Sequence, residues 1–317
     1  MSSNISCLDV YLPVALAPGE PAQYEVYGQL CGQLPLENRT VHVLVHGGAY
    51  SHIYWDWPYQ PERYSYVHVL TNAGYVTFNI DRIGIGKSSH PPAEQVTLEA
   101  HAYVLHQINQ ALRDGKIGGV EFKRIVNVGR SFGALTVISA VSKYGGVEGV
   151  IITGLLNVIK RDIVAETIPY FKYPVELDPC FKDKNIPSGY LTTKPGVRGQ
   201  LFYNQEYCDP EVIALDEATK ETVTPPELGI DISVFELEKE IRVPVLVVIG
   251  QNDIFFCTTE VCACNASVAA NELPFFSPEA CLQTFVLPKA GHNINLHLNA
   301  HEWFEAARRW SDQFVGA

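Results

Sequence analysis

Six short runs rich in Val, Ile and Leu recur along the chain, and segments with helical spacing separate them. This alternation constrains the fold more than any other feature of the sequence. The runs span residues 41–46, 75–81, 124–129, 147–154, 243–250 and 283–288. Strands of such continuous apolar character are typically buried on both faces, as in a parallel sheet covered by helices. The pattern therefore predicts an α/β fold with a mostly parallel, doubly wound sheet.

Two further stretches, at residues 8–13 and 24–30, alternate in polarity on either side of a turn around Gly19. This pattern predicts an N-terminal β-hairpin. Cys7 and Cys31 are equally far from Gly19, so a regular antiparallel pairing places them opposite each other, within the separation that a disulfide tolerates. A disulfide favours an extracellular or otherwise extracytoplasmic protein, whereas two half-buried reduced thiols would fit the cytoplasm.

The regular pattern breaks between residues 157 and 242, where repeated prolines interrupt any long element. We therefore expect a single α/β domain over residues 1–317, with residues 157–242 inserted as a lid or cap subdomain. The segment is rich in Tyr and Phe. These rings predict either an apolar cover over a substrate pocket or a small core of the segment's own, and both interpretations remain open.

The local motif with the clearest chemistry is the pattern G-x-S-x-G at residues 129–133, between a predicted strand and a helical run over residues 134–144. A serine on such a sharp strand-to-helix turn is held in a strained backbone, and the flanking glycines allow the turn to close. The turn exposes the serine Oγ above the sheet, facing the N-terminus of the next helix. The motif predicts that Ser131 is a nucleophile, and the alternative is a serine that caps an ordinary helix.

A serine hydroxyl needs a base within hydrogen-bonding reach, and His292 is the best candidate among ten histidines. It follows the last predicted strand, where a loop from the carboxyl edge of the sheet can return it to Ser131. Asp253 follows the strand at residues 243–250 at the same edge, so it is the candidate partner for the other imidazole nitrogen. The alternative for Asp253 is a turn aspartate that bonds only its own loop.

The sequence HGGAY at residues 46–50 follows the first core strand. Its glycines let the backbone approach a substrate, and its free amides can complete an oxyanion-binding site together with the amide of Phe132. Gly48 is the favoured second donor. Ala49 is the alternative, since the sequence does not fix which amide turns inward, and His46 is interpreted as a structural residue.

The order Ser131, Asp253, His292, the loop at residues 46–48 and the D-x-x-G-x-G-x-S turn at residues 81–88 together resemble the α/β-hydrolase superfamily, over roughly residues 41–315. The resemblance implies that Ser131 accepts an acyl group, that His292 is the general acid and base, and that Asp253 orients the imidazole. Two features depart from the family pattern. Arg130 stands where many members carry His, and a cysteine-bearing insertion separates Asp253 from His292.

The residues and the resemblance together predict a serine hydrolase of the esterase or lipase type. Its substrate would be a carboxylic ester, lactone or thioester of a small, largely apolar molecule, cleaved through an acyl-serine intermediate with no cofactor and no metal. A serine nucleophile disfavours alkyl-enzyme chemistry. Two other functions remain open: a natural-product tailoring enzyme such as a cyclase, lactonase or lyase, and a binding protein that keeps the fold without turnover.

The charge and hydropathy of the chain bear on its partners. Thirty-five acidic residues against 23 basic ones give a net charge of −12, which repels phosphate backbones, so nucleic acid is not an expected partner. No apolar run reaches the length of a membrane-spanning helix, so we expect no membrane span. The expected partner is a small ester-like molecule.

Overall fold

The computed structural model describes residues 5–229 and 232–317. The strands are β1 (Ile5–Val14), β2 (Tyr24–Gln33), β3 (Thr40–Val45), β4 (Val76–Ile80), β5 (Arg124–Arg130), β6 (Gly149–Thr153), β7 (Tyr173–Pro174), β8 (Leu191–Thr192), β9 (Val245–Gly250) and β10 (Gln283–Leu287). The main sheet has the order β1-β2-β4-β3-β5-β6-β9-β10, and β7 pairs with β8 in a separate small sheet.

Helices connect and cover these strands. The α-helices are α1 (Pro61–Tyr64), α2 (Tyr66–Asn72), α3 (Leu98–Arg113), α4 (Phe132–Tyr144), α5 (Arg161–Thr167), α6 (Arg198–Phe202), α7 (Pro210–Ala218), α8 (Pro225–Leu228), α9 (Asn265–Glu272) and α10 (Ala300–Phe314). In addition, 3-10 helices lie at His52–Tyr54, Ala93–Gln95, Ile168–Phe171, Val175–Leu177, Pro179–Phe181, Gln205–Tyr207, Ile232–Glu240, Leu273–Phe275, Pro278–Ala280 and Ile294–Leu296.

The pairing of the strands confirms the predicted fold class. β3 pairs in parallel with both β4 and β5, and the parallel order continues through β6 and β9 to β10. Every residue of β3, β4, β6 and β9 is buried, which explains why the sequence of these strands shows little alternation. The six predicted core strands agree with the observed bounds to within two residues.

The N-terminal hairpin is also confirmed. β1 pairs with β2 in antiparallel register, with Cys7 opposite Cys31, and these two residues form a disulfide. β2 continues antiparallel onto β4, so the hairpin extends the edge of the sheet. A second disulfide, between Cys257 and Cys262, was not predicted.

Residues 157–242, called the 157–242 segment below, leave the sheet after β6 and return at β9, which lies beside β6. The described part of the segment holds the short helices α5 to α8 and the small β7-β8 sheet. Its action as a lid remains a prediction. Within residues 5–229 and 232–317, no helix has the length and apolar character that crossing a membrane requires.

Candidate active site

Ser131 sits at the sharp turn between β5 and α4, with φ 53° and ψ −118°. A positive φ is unusual for a residue other than glycine and indicates backbone strain. The turn closes only because its flanking residues lack side chains. A Cβ on Gly129 would lie 2.5 Å from the carbonyl oxygen of Gly133, and a Cβ on Gly133 would collide with the carbonyl oxygen of Val45.

Three side chains that are distant along the chain meet at this turn. The Ser131 hydroxyl lies 3.0 Å from His292 Nε2, and His292 Nδ1 lies 2.7 Å from Asp253 Oδ2. Since a carboxylate accepts hydrogen bonds, Nδ1 carries the proton and Nε2 is left as the acceptor for the hydroxyl. The structure therefore brings together the three residues that the sequence singled out, with His292 between Ser131 and Asp253.

His292 is 3% exposed and is enclosed by aromatic rings. The rings of Phe202, Phe255 and Phe256 lie 4.9–6.0 Å from the imidazole, centroid to centroid. Burial lowers the pKa of His292, the Asp253 carboxylate opposes this effect, and the charge of Arg130 lowers the pKa further. The imidazole is thus kept uncharged at neutral pH, which is the form that can accept a proton.

Asp253 is fixed by its own loop as well as by His292. Its Oδ1 accepts a hydrogen bond from the Phe255 amide at 2.9 Å, while Oδ2 faces the imidazole. The disulfide between Cys257 and Cys262 closes the loop that follows. The two interpretations of Asp253 therefore coexist, because one oxygen satisfies the turn and the other is left for His292.

Two backbone amides near Ser131 are free to donate. The amides of Gly48 and Phe132 make no hydrogen bond within the described parts of the chain, and both residues line the cavity beside Ser131. The amide of Ala49, the alternative donor, instead donates to the carbonyl oxygen of Thr222 at 3.2 Å. This contact supports Gly48 over Ala49 as the second candidate donor.

Sequence reasoning missed a buried ion pair beside the loop at residues 46–48. Arg82 Nη1 lies 2.5 Å from Glu227 Oε1, and both side chains are at most 1% exposed. Arg82 belongs to the D-x-x-G-x-G-x-S turn, and Glu227 belongs to α8 in the 157–242 segment. The only local signal was the T-x-x-E pattern from Thr224 to Glu227, which forms a capping box at the start of α8.

Ser131 and His292 open onto a cavity of about 470 Å³. Polar side chains are few on its wall: besides those two residues they are Arg130, Arg161 and Glu227. The apolar residues that line it are Phe132, Leu135, Leu155, Ile159, Val164, Ala165, Ile168, Phe171, Phe202, Val223, Leu228, Phe235, Phe255 and Phe256. Most of the wall comes from the 157–242 segment, although other aromatic residues of that segment, such as Phe181 and Tyr190, are buried elsewhere.

Comparison with known proteins shows what this chain is similar to. The sequence profile of the alpha/beta hydrolase family matches residues 43–307. No curated protein sequence matches the chain.

Solved structures with a similar fold include a thermophilic esterase from Thermogutta terrifontis, with TM-score 0.66 and 18% identity over 97% of this chain and 99% of that one. A monoacylglycerol lipase from Paleococcus ferrophilus has a TM-score of 0.63 and 16% identity, over 92% of this chain and 100% of the lipase. The esterase RhEst1 from Rhodococcus sp. ECU1013 has a TM-score of 0.58 and 16% identity, over 98% of this chain and 99% of the esterase. At these identities the likeness shows the fold alone.

Proposed function

The chain belongs to the alpha/beta hydrolase family, and on that basis we propose that it is a serine hydrolase that cleaves a carboxylic ester through an acyl-serine intermediate. The observation that carries the proposal is the continuous chain of contacts from Ser131 Oγ to His292 Nε2 and from His292 Nδ1 to Asp253 Oδ2, at 3.0 and 2.7 Å. A hydroxyl becomes a nucleophile at neutral pH only with such a base beside it.

In the first half of the reaction, Ser131 Oγ attacks the ester carbonyl carbon while its proton moves to His292 Nε2. The carbonyl oxygen becomes an oxyanion, which the amides of Phe132 and Gly48 stabilise. Asp253 holds the imidazole in the required tautomer and stabilises the imidazolium. The tetrahedral intermediate then collapses, and the leaving alkoxide takes the proton from His292.

In the second half, water attacks the acyl-serine carbonyl while His292 takes a proton from the water. Collapse of this second tetrahedral intermediate breaks the bond to Ser131 Oγ, which recovers its proton from His292. One ester and one water are consumed, and one carboxylic acid and one alcohol are released.

The walls of the cavity support a small, largely apolar substrate. Only a few polar side chains reach the wall, so a long polar or highly charged group would lose its hydration without finding partners. The fold is shared with esterases and a monoacylglycerol lipase, which supports a carboxylic ester, with lactones and thioesters as close chemical relatives.

The experiment that tests this proposal is the hydrolysis of short and medium p-nitrophenyl esters by the parent protein and by Ser131→Ala. Removal of the nucleophile of such a site is expected to lower kcat by about 10⁴- to 10⁶-fold. A fluorophosphonate probe should label the parent protein and not the variant. Equal hydrolysis rates for the two proteins would overturn the proposal.

We also propose that the protein works outside the cytoplasm. The disulfides between Cys7 and Cys31 and between Cys257 and Cys262 support this location, because disulfides persist mainly in oxidising compartments.

A further inference from the structure

The side chain of Arg82 is buried between the loop at residues 46–48 and the 157–242 segment, with 1% of its surface exposed. Its Nε donates to the carbonyl oxygen of His46 at 3.0 Å, and its Nη2 donates to the carbonyl oxygen of Gly47 at 3.2 Å. The guanidinium fork thus binds two successive carbonyl groups that directly precede Gly48.

The His46 side chain contacts the Gly47 carbonyl group as well. The backbone amide of Arg82 donates to His46 Nε2 at 3.0 Å, so the remaining proton lies on Nδ1, which donates to the carbonyl oxygen of Gly47 at 2.9 Å. The Gly47 oxygen therefore accepts two hydrogen bonds, one from each side chain.

The direction of this carbonyl group decides where the next amide points. The peptide bond between Gly47 and Gly48 is trans, and in a planar trans peptide the C=O and N–H bonds point in opposite directions. Since Arg82 and His46 hold the Gly47 oxygen, the Gly48 N–H points away from them. No side chain at either glycine opposes rotation of this peptide group, so its orientation depends on these outside contacts.

The position of Arg82 depends in turn on Glu227. A buried guanidinium needs a carboxylate partner, and Glu227 Oε1 lies 2.5 Å from Nη1, with His101 Nε2 within 3.1 Å of the same oxygen. Burial alone would raise the pKa of Glu227, but Arg82 and His101 lower it to about 2. The other oxygen, Oε2, accepts from the Thr224 amide at 2.7 Å, so the carboxylate is ionised and fixed.

The same ion pair contacts the Phe132 ring, the Gly47 carbonyl group and the wall of the cavity. The Arg82 guanidinium packs 4.6 Å from the centre of the Phe132 ring, and the Phe132 amide is the first proposed donor. Glu227 and its neighbour Leu228 line the cavity. The wall of the cavity and the amide of Gly48 are thus connected through two side chains.

We propose that Arg82 and Glu227 are positioning residues that fix the Gly47–Gly48 peptide group, so that the Gly48 amide is directed at the oxyanion. The inference rests on the proposed function, because the oxyanion is the one formed when Ser131 attacks an ester. Neither residue touches the reacting atoms. Both act through the backbone of the loop at residues 46–48, and Glu227 makes the 157–242 segment part of the catalytic arrangement.

The test compares the parent protein with Arg82→Lys and Glu227→Gln. Lysine keeps the charge but loses the fork, and glutamine keeps the shape but leaves the guanidinium charge unpaired. The measurements are kcat and KM for a p-nitrophenyl ester, the Tm, and the Ki of an alkyl trifluoromethyl ketone, whose adduct with Ser131 carries an oxyanion. The matched control is Asp178→Asn, a buried carboxylate of the same segment that pairs with Lys220 at 2.7 Å and does not line the cavity.

For Arg82→Lys we expect kcat to fall about 10- to 100-fold, the Ki of the ketone to rise by a similar factor, and KM to change less than about threefold. Glu227→Gln should lower kcat and raise the Ki of the ketone by only about 3- to 10-fold, because the amide oxygen of glutamine still accepts a hydrogen bond from Arg82. Asp178→Asn should lower the Tm while kcat and Ki stay within about twofold of the parent values.

Two outcomes would overturn the inference. One is a folded Arg82→Lys protein with the kcat and Ki of the parent. The other is a loss of kcat that Asp178→Asn reproduces at the same loss of Tm, since the ion pair would then be merely structural. If Arg82→Lys does not fold, Glu227→Gln decides by the same readouts. A parent protein that hydrolyses esters no faster than Ser131→Ala would overturn the proposed function instead, and this inference with it.

Discussion

In the proposed mechanism His292 must be uncharged to accept the proton of Ser131, so its pKa would set the lower limit of the pH range for activity. Burial and the charge of Arg130 lower this pKa, although Asp253 opposes them. The imidazole therefore becomes protonated only below its usual value of about 6.5. We expect a plot of kcat/KM against pH to be level near neutrality and to fall on the acid side with a midpoint below about 6.5.

Arg130→Met tests the part of this shift that comes from charge. Removal of a nearby positive charge makes protonation of His292 easier, so the acid midpoint should move to higher pH by up to about one unit. Arg161→Met is the matched control, because Arg161 lines the same cavity but is exposed to solvent, which screens its charge. An unchanged midpoint in Arg130→Met, or an equal change in both variants, would contradict the prediction.

The candidate residues differ in how far the sequence could identify them. Ser131 lies in a local motif whose geometry follows from its own neighbours. His292 and Asp253 could be named because parallel strands place the loops at their carboxyl ends along one edge, which brings residues 161 and 39 positions apart into contact. Arg82 and Glu227 could not be paired in advance. They are 145 positions apart, and the partners of Arg82 include carbonyl groups that any sequence would supply.

Three polar side chains join the two ends of the 157–242 segment to α9. Asn157 Nδ2 donates to Glu238 at 2.6 Å and to Glu272 at 2.8 Å. Both carboxyl groups are at most 2% exposed. Burial raises the pKa of Glu238 to about 8, and the neighbouring Glu272 adds to this effect while Asn157 opposes it. Glu238 is therefore protonated at neutral pH.

This raised pKa predicts how stability changes with pH. In the unfolded chain Glu238 ionises near pH 4.5, whereas in the folded protein it ionises only near pH 8. The stabilisation of the folded state by protonated Glu238 is therefore fully present below pH 4.5 and is lost as the pH rises to about 8. Glu238→Gln cannot ionise. Its free energy of unfolding relative to the parent should increase by roughly 1–3 kcal/mol between about pH 5 and pH 8, as measured by urea denaturation.

Glu236→Gln is the control for this prediction, because Glu236 lies in the same 3-10 helix and is exposed. Its unfolding free energy relative to the parent should stay within about 0.5 kcal/mol at both pH values. If Glu238→Gln and Glu236→Gln respond alike, Glu238 is ionised in the folded protein and the prediction is wrong.

The parallel strands β3, β4, β6 and β9 could be predicted because each forms a continuous apolar run that is buried on both faces. The hairpin strands β1 and β2 could be predicted because their polarity alternates on either side of a turn. The 157–242 segment could only be predicted as irregular. Its prolines remove backbone donors and end elements early, so its helices are short. The two-residue strands β7 and β8 depend on their pairing with each other, which no local pattern encodes.

The two disulfides close loops of very different length and lie in different parts of the molecule. Cys7 and Cys31 are 24 positions apart in the edge hairpin. Cys257 and Cys262 are 5 positions apart, just after Asp253 and the Phe255 and Phe256 rings that enclose His292. Replacement of the first pair by Ser should lower the free energy of unfolding by about 3 kcal/mol, and replacement of the second by about 2 kcal/mol.

Activity should respond in the opposite order. The Cys7→Ser/Cys31→Ser variant should keep the kcat of the parent, because the hairpin does not line the cavity. The Cys257→Ser/Cys262→Ser variant should lose at least about tenfold in kcat, since small displacements of catalytic groups have large effects. Equal kcat values in the two variants would show that the second disulfide does not hold the site.

A thiol titration tests the bridges and the proposed compartment together. The denatured protein should show four reactive thiols without reductant, Cys180, Cys208, Cys264 and Cys281, and all eight cysteines after reduction. Eight thiols in both conditions would contradict the bridges and favour a cytoplasmic protein.

Ala49 is joined to the 157–242 segment by a pair of backbone hydrogen bonds: its amide donates to Thr222, and its carbonyl oxygen accepts from the Glu221 amide, each at 3.2 Å. Because main-chain atoms make both bonds, a segment taken from a homologous protein could replace this one only if its backbone passed Ala49 in the same register. A chimera whose segment ran past Ala49 in another register would lose the pair of hydrogen bonds. Directed evolution of selectivity should therefore keep the chain length around residues 221 and 222 and randomise wall positions such as Ile168 and Phe171.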